Sequence, residues 1–140
     1  MRFMMIVKEN PESEAGQLPT PELIDAMNKY NEELAKAGAL LDLSGLHPSS
    51  KGFRVRFTAD GKRKIIDGPF AETKELIAGY WLIQVKSREE AIEWAKRIPF
   101  VAESSDKEPE VEVRQVFDIE DFPPSDAVDR AKELEKKFRK

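Results

Sequence analysis

Residues 67–75 read Asp67-Gly68-Pro69-Phe70-Ala71-Glu72-Thr73-Lys74-Glu75, and the chain is organised around the first four. An Asp side chain bonds its own downstream backbone, Gly accepts positive φ, and Pro fixes the φ that follows, so Asp67-Gly68-Pro69 is a turn with a mechanism. Phe70 then offers a ring to plug the core. Upstream, Phe53, Val55 and Phe57 alternate with Arg54, Arg56 and Thr58, the period of a half-exposed strand. Asp60-Gly61 is a two-residue hairpin signal, and the returning strand, 62–66, leads into Asp67. Downstream, 71–78 reads as a loop with room for one helical turn, and 80–85 is a strongly apolar strand.

Working outward, 3–7 is a continuous apolar run that suits a central strand buried on both faces. Residues 10–19 are polar and turn-rich and read as a loop. Thr20-Pro21-Glu22 starts a helix: Thr20 caps, and Pro21 suits the first position, where no N–H is needed. Leu23, Met27, Tyr30 and Leu34 form one apolar stripe, and Gly38 is placed to end the helix in a left-handed conformation. A short strand fits 40–43, followed by a Gly/Pro/Ser loop that carries His47. Ser87-Arg88-Glu89-Glu90 is a capping box, with Ala91, Ile92, Ala95 and Ile98 as the buried stripe of its helix and Pro99 as the stop. A charged loop, 103–109, precedes a last strand holding Val111, Val113, Val116 and Phe117. After Pro123-Pro124, Ser125 caps a charge-rich tail helix with Ala127, Ala131, Leu134 and Phe138 on one side.

The order predicts an α+β fold, reduced at its core to a ferredoxin-like βαββαβ with the hairpin of 53–66 as an elaboration. One domain spans residues 1–122. The tail, 123–140, is a short amphipathic helix, marginal alone, that needs the domain or a dimer partner to dock on. Such a sheet leaves one face uncovered, and a second copy of the chain is the simplest cover, so a homodimer is expected.

The bulk properties exclude several function classes. The chain has 140 residues and 40% apolar residues, enough for one domain with a core. A net charge of −4 does not attract nucleic acid or an anionic membrane. There is no Cys and one His, so no disulfide, thiolate nucleophile or structural zinc site is expected, and neither a metal nor a cofactor is called for. The apolar run near Met1 is too short for a signal peptide, and no stretch approaches the ~20 apolar residues that span a bilayer. A cytoplasmic protein is the expectation. P-loop, Rossmann and GxSxG signatures are missing.

The segment 67–75 resembles the signature of the DGPF family, a branch of the YCII-related proteins. Further pieces agree in order: Gly79-Tyr80-Trp81-Leu82-Ile83, then Glu90-Ala91-Ile92-Glu93-Trp94-Ala95, then Glu112-Val113-Arg114. The resemblance covers roughly residues 1–118 and leaves the tail helix outside. It implies a dimeric α+β barrel, in which two ferredoxin-like sheets face each other and enclose clefts. It implies little chemistry. Some members resemble products encoded beside extracytoplasmic-function sigma factors, which implies a regulatory or stress-linked setting. The simpler YCII branch carries a His on its first helix, paired with an Asp, as a candidate catalytic pair. Here the first helix has no His, and Met27 stands roughly at that place.

The candidate site residues follow from residue chemistry. His47 and Asp67 are the catalytic candidates, as a general base and its orienter, provided the fold brings them within hydrogen-bond reach. Phe70, Glu72, Lys74 and Trp81 are the candidates for ligand binding. Each has a structural alternative: Phe70 in the core, Glu72 with Lys74 as a local ion pair, and Trp81 against a helix. Arg54 and Arg56, with Lys64 near, can attract an anion or simply face solvent. Three functions from different classes result. The first is a protein that binds a small polar molecule without catalysis. The others are a small-molecule enzyme using acid–base chemistry at His47 and Asp67, and a structural or partner-interaction dimer.

Overall fold

The computed structural model describes residues 1–138. In chain order the elements are β1 (Arg2–Lys8), α1 (Pro11–Glu14), α2 (Pro21–Lys36), β2 (Leu40–Gly45), β3 (Phe53–Phe57), β4 (Arg63–Asp67), β5 (Ile77–Gln84), α3 (Arg88–Lys96), β6 (Val111–Gln115) and α4 (Asp126–Phe138). The fold is mixed α+β. Four strands form one antiparallel sheet in the order β2-β5-β1-β6, and β3 with β4 forms a separate two-stranded ribbon. The apolar runs of β1 and β5 sit side by side at its centre, but β1 is buried on one face only and half-buried on the other, because the helices cover a single side of the sheet.

Register decides which face is core. Phe3 pairs with Ile83 and Met5 with Trp81, and all four are buried. Tyr30 and Leu34 from α2, and Ala91 and Trp94 from α3, close over this face. Met5, Leu34 and Ile83 are fully shielded from water, each contributing about 1.5–3 kcal/mol by removing apolar area from solvent. The Tyr30 ring meets Trp81 and Trp94 edge-on at 5.5 and 6.2 Å, and its hydroxyl donates to the Trp94 carbonyl at 2.7 Å. Burial pushes the Tyr30 phenol above its ordinary range, because the phenolate would lose its water. On the opposite face Met4 pairs with Leu82 and Ile6 with Tyr80, all half-buried.

The helix boundaries agree with their local chemistry. Thr20 Oγ1 accepts from the Leu23 N–H at 3.2 Å, and Gly38 leaves α2 at φ 72°. Ser87 Oγ accepts from the Glu90 N–H at 3.1 Å, and the Glu90 carboxylate reaches back to the Lys86 N–H at 2.8 Å. Of the expected α3 stripe, Ala91 and Ile98 are buried and Ala95 packs against the core, while Ile92 is half-buried; Trp94 is buried as well, its ring beside Tyr30.

Four further differences from expectation have local causes. The loop 10–19 contains α1, started by a capping box in which Asn10 Oδ1 accepts from the Ser13 N–H at 2.8 Å, with Pro11 at the first position. The ribbon turns through three residues, Ala59-Asp60-Gly61, rather than two. The Thr58 N–H donates to the Lys62 carbonyl at 3.0 Å and Gly61 takes the left-handed position at φ 84°. Gly68 does not have positive φ, so its Gly is required for another reason, given below. The Val116 N–H still donates to Arg2, but Phe117 leaves the sheet, 71% exposed, and its ring lies 5.1 Å from Phe122.

Two parts stand off the core. The apolar face of the ribbon is open, with Phe53, Phe57 and Ile65 each more than 60% exposed. In α4, capped by Ser125 Oγ on the Val128 N–H at 3.1 Å, no residue is buried, and its main contacts are with the turn Ile119–Asp121. Arg139 and Lys140, which end the expected 123–140 tail, lie outside the described residues. Among the described residues no helix is long and apolar enough to cross a membrane.

Candidate functional site

A cleft of about 450 Å³ opens where the end of β1, the start of β5 and the segment after β2 meet the ribbon. Its walls come from Glu9 and Glu14, the 46–52 segment with Arg54, and Phe70 with Glu75 to Ile77. Hydrogen bonds sew these stretches together. The Glu14 carboxylate accepts from the Ser49 N–H at 2.7 Å and from the Ser49 hydroxyl. The same hydroxyl accepts from the Phe70 N–H at 2.9 Å. One serine therefore ties α1 to the 67–70 turn, its O–H donating one way and its lone pair accepting the other.

Gly68 explains the turn. Its N–H donates to the Gly52 carbonyl at 3.0 Å, and a Cβ at this position would stand 1.9 Å from the Ser49 carbonyl oxygen. Glycine is required here for close backbone approach. The Asp67-Gly68-Pro69-Phe70 turn is thus pressed flat onto the 49–52 segment, and it delivers Phe70 to the cleft. There the Arg54 guanidinium lies over the Phe70 ring at 3.8 Å. Glu9 is the one buried charged residue of the described chain, 8% exposed, and its carboxylate accepts from the Ser13 hydroxyl. On α1, Glu12 points the other way, to Lys107 at 3.3 Å. The local backbone N–H, and then Lys107, hold the Glu12 carboxyl below its ordinary range.

Of the expected site residues, the fold brings His47 and Phe70 to this cleft. Asp67 ends β4 opposite Phe53, exposed and off the cleft wall, and among the described residues no hydrogen bond or ion pair joins it to His47. Glu72 and Lys74 are exposed and form no ion pair with each other, and it is Glu75 of that turn that lines the cleft. Trp81 is in the helix-side core, 3% exposed, its Nε1 donating to Asn31 Oδ1 at 2.7 Å. Arg56 pairs with Lys64 across the ribbon, on the face it shares with Arg54. Among the described residues no group of three or more His, Cys, Asp or Glu is placed to hold a metal ion.

Glu9, Glu14, Ser49 and Lys51 line the cleft without having been expected there. Two of them leave a trace in the sequence. Phe3, Met5, Val7 and Glu9 share one parity, so Glu9 follows the core face of β1 in step. Asn10-Pro11 is a helix start, and it fixes where Glu14 emerges. Nothing near Ser49 signals its pairing, because its partners are 35 and 21 residues away.

Comparison with known proteins fits this architecture. The family model of the YCII-related domain matches residues 1–120. A stretch of 70 residues is 34% identical to an uncharacterized protein of Rhizobium meliloti (strain 1021), covering 50% of this chain and 56% of that protein. The chain thus matches little more than half the length of that curated relative. With the family match running from the first strand through the last strand of the sheet, the chain belongs to the YCII-related family.

Proposed function

We propose that this YCII-related protein binds a small polar molecule in the cleft between α1, the 46–52 segment and Phe70. The observation that carries the reading is the Glu14–Ser49–Phe70 relay, which spends a half-buried hydrogen-bond network on holding α1, the 46–52 segment and the 67–70 turn around an open space. A core alone needs no such network. A thermal-shift screen of charged and neutral metabolites tests it: ligand at about 100 times Kd adds about 2.7 kcal/mol of stability. A hit that Phe70→Ala removes supports the cleft, and a screen without any hit overturns it.

The arrangement of two copies belongs to the same proposal. Residues 1–122 form a ferredoxin-like domain, a reading supported by the β2-β5-β1-β6 order, and two domains associate as a dimeric α+β barrel. Apolar groups left half-buried or exposed in one copy support this. They are Met4, Ile6 and Leu82 on the open sheet face, Phe53 and Phe57 on the ribbon, and Leu134 of α4, which docks on the partner. Sedimentation that returns the mass of one chain at micromolar concentration overturns the dimer. Acid–base catalysis is the second reading, favoured by the place of His47 in the cleft wall. Full activity of His47→Ala on an identified substrate removes it.

A further inference from the structure

Where ion pairs form on this surface they are close, as Arg2 with Asp118 and Lys8 with Glu112, both at 3.1 Å. The cleft has carboxylates at Glu9, Glu14 and Glu75 and cations at Lys51 and Arg54. Among the described residues none of these five charged groups is in an ion pair. Three of the five have a neutral partner instead.

The partners that hold them are neutral. Ser13 holds Glu9, Ser49 holds Glu14, and the Phe70 ring holds Arg54. Glu9 matters most. Glu9 as a residue is 8% exposed, and its carboxylate has the Ser13 hydroxyl as partner and no counter-charge among the described residues. Arg54 is its complement. Stacking on Phe70 occupies one face of the guanidinium and leaves its in-plane N–H edge, the edge that forks onto a carboxylate. The same cleft has an apolar lining from Leu46, Leu76 and Ile77.

Resting on the reading of this cleft as a binding site, we infer that its ligand is a zwitterion of the amino-acid class, an ammonium and a carboxylate on a short apolar body. The ammonium takes Glu9 as its counter-charge, and the carboxylate takes Arg54 with Lys51. A purely anionic molecule brings its charge against Glu9, and a purely cationic one leaves Arg54 and Lys51 uncompensated. Fixing the charges in advance spares the ligand the ordering that binding otherwise demands.

Calorimetric titration of the full chain with two matched sets tests this. The sets are phenylalanine, 2-phenylethylamine and 3-phenylpropanoate, and leucine, isopentylamine and 4-methylpentanoate. One zwitterion is expected to bind at least about tenfold more tightly than both of its single-charge analogues, since a site built around two charges rejects a ligand lacking one. Glu9→Gln should remove the advantage over the acid, and Arg54→Met, on the exposed ribbon, the advantage over the amine. An amine or an acid that binds as tightly as its zwitterion overturns the inference. So does failure of both sets and of the remaining proteinogenic amino acids while another molecule binds in a Phe70-dependent way, and then the binding reading stands. If no molecule of any charge binds, both fall.

Discussion

The helix side of the sheet and the β3–β4 ribbon are built from the same kinds of side chain and end in opposite states. Phe3, Trp81 and Ile83 are buried at 6%, 3% and 0% exposure, while Phe53, Phe57 and Ile65 stand at 63%, 69% and 66%. Alternation put an apolar face on both. The difference lies in what the chain supplies to cover it. The sheet is followed twice by a helix with a matching stripe, and the ribbon is followed by a turn that fixes only its base. A two-stranded ribbon without a covering layer is marginal in water, so its stability is borrowed from the Ser49–Gly52 segment to which Gly68 is pressed.

The largest effect that tests this contrast is on the covered side. Leu34→Ala removes a fully buried side chain between α2 and the sheet and should destabilise the chain by about 2–5 kcal/mol, read as a fall in the urea midpoint. A loss below about 1 kcal/mol would mean that the core is not where its stability resides. Gly68→Ala comes next. Its Cβ meets backbone, which cannot swing away as a side-chain tip does, and about 2–3 kcal/mol should be lost. The ribbon should be displaced as well, with ligand binding lost in the same variant. Ser49→Ala removes both hydroxyl links of the relay, leaving the Phe70 N–H without that partner while Glu14 keeps the Ser49 N–H. A loss of about 1–2 kcal/mol is expected, with a larger effect on ligand affinity than on unfolding.

The contrast also explains what was legible in the sequence. The α2 stripe, the Thr20 and Ser87 caps and the apolar runs of β1 and β5 are local patterns, and each is where its chemistry places it. The α4 stripe was equally legible, yet no residue of α4 is buried, because a stripe states that a face seeks cover and not where the cover is. The cleft was legible only in part. Phe70 and His47 were singled out by residue type, and Arg54 by its place on a basic strand face. Ser49, the residue that joins the walls, is one serine among polar neighbours, and its importance exists only once residues 14, 49 and 70 meet. Asp67 and Trp81 show the converse: conspicuous in sequence, one stands on the ribbon edge and the other in the core.

The smallest expected effect is confined to the ribbon tip. Asp60 accepts from the Thr58 hydroxyl and from the Lys62 N–H at 3.2 Å. The Thr58 hydrogen bond, and after it the Lys62 N–H, hold its carboxyl below the ordinary range. A carboxylate with a lowered pKa in the folded chain stabilises it above the unfolded value, about 3.9 for Asp, and that contribution fades as pH falls through the lower folded value. In acid the tip should therefore loosen before the sheet does. The Lys62 amide resonance should follow the Asp60 titration while the Ile83 amide stays fixed, and Asp60→Asn should flatten the Lys62 response. Lys62 and Ile83 shifting together in acid would mean that ribbon and sheet titrate as one unit, and the division between covered and uncovered faces would lose its energetic meaning.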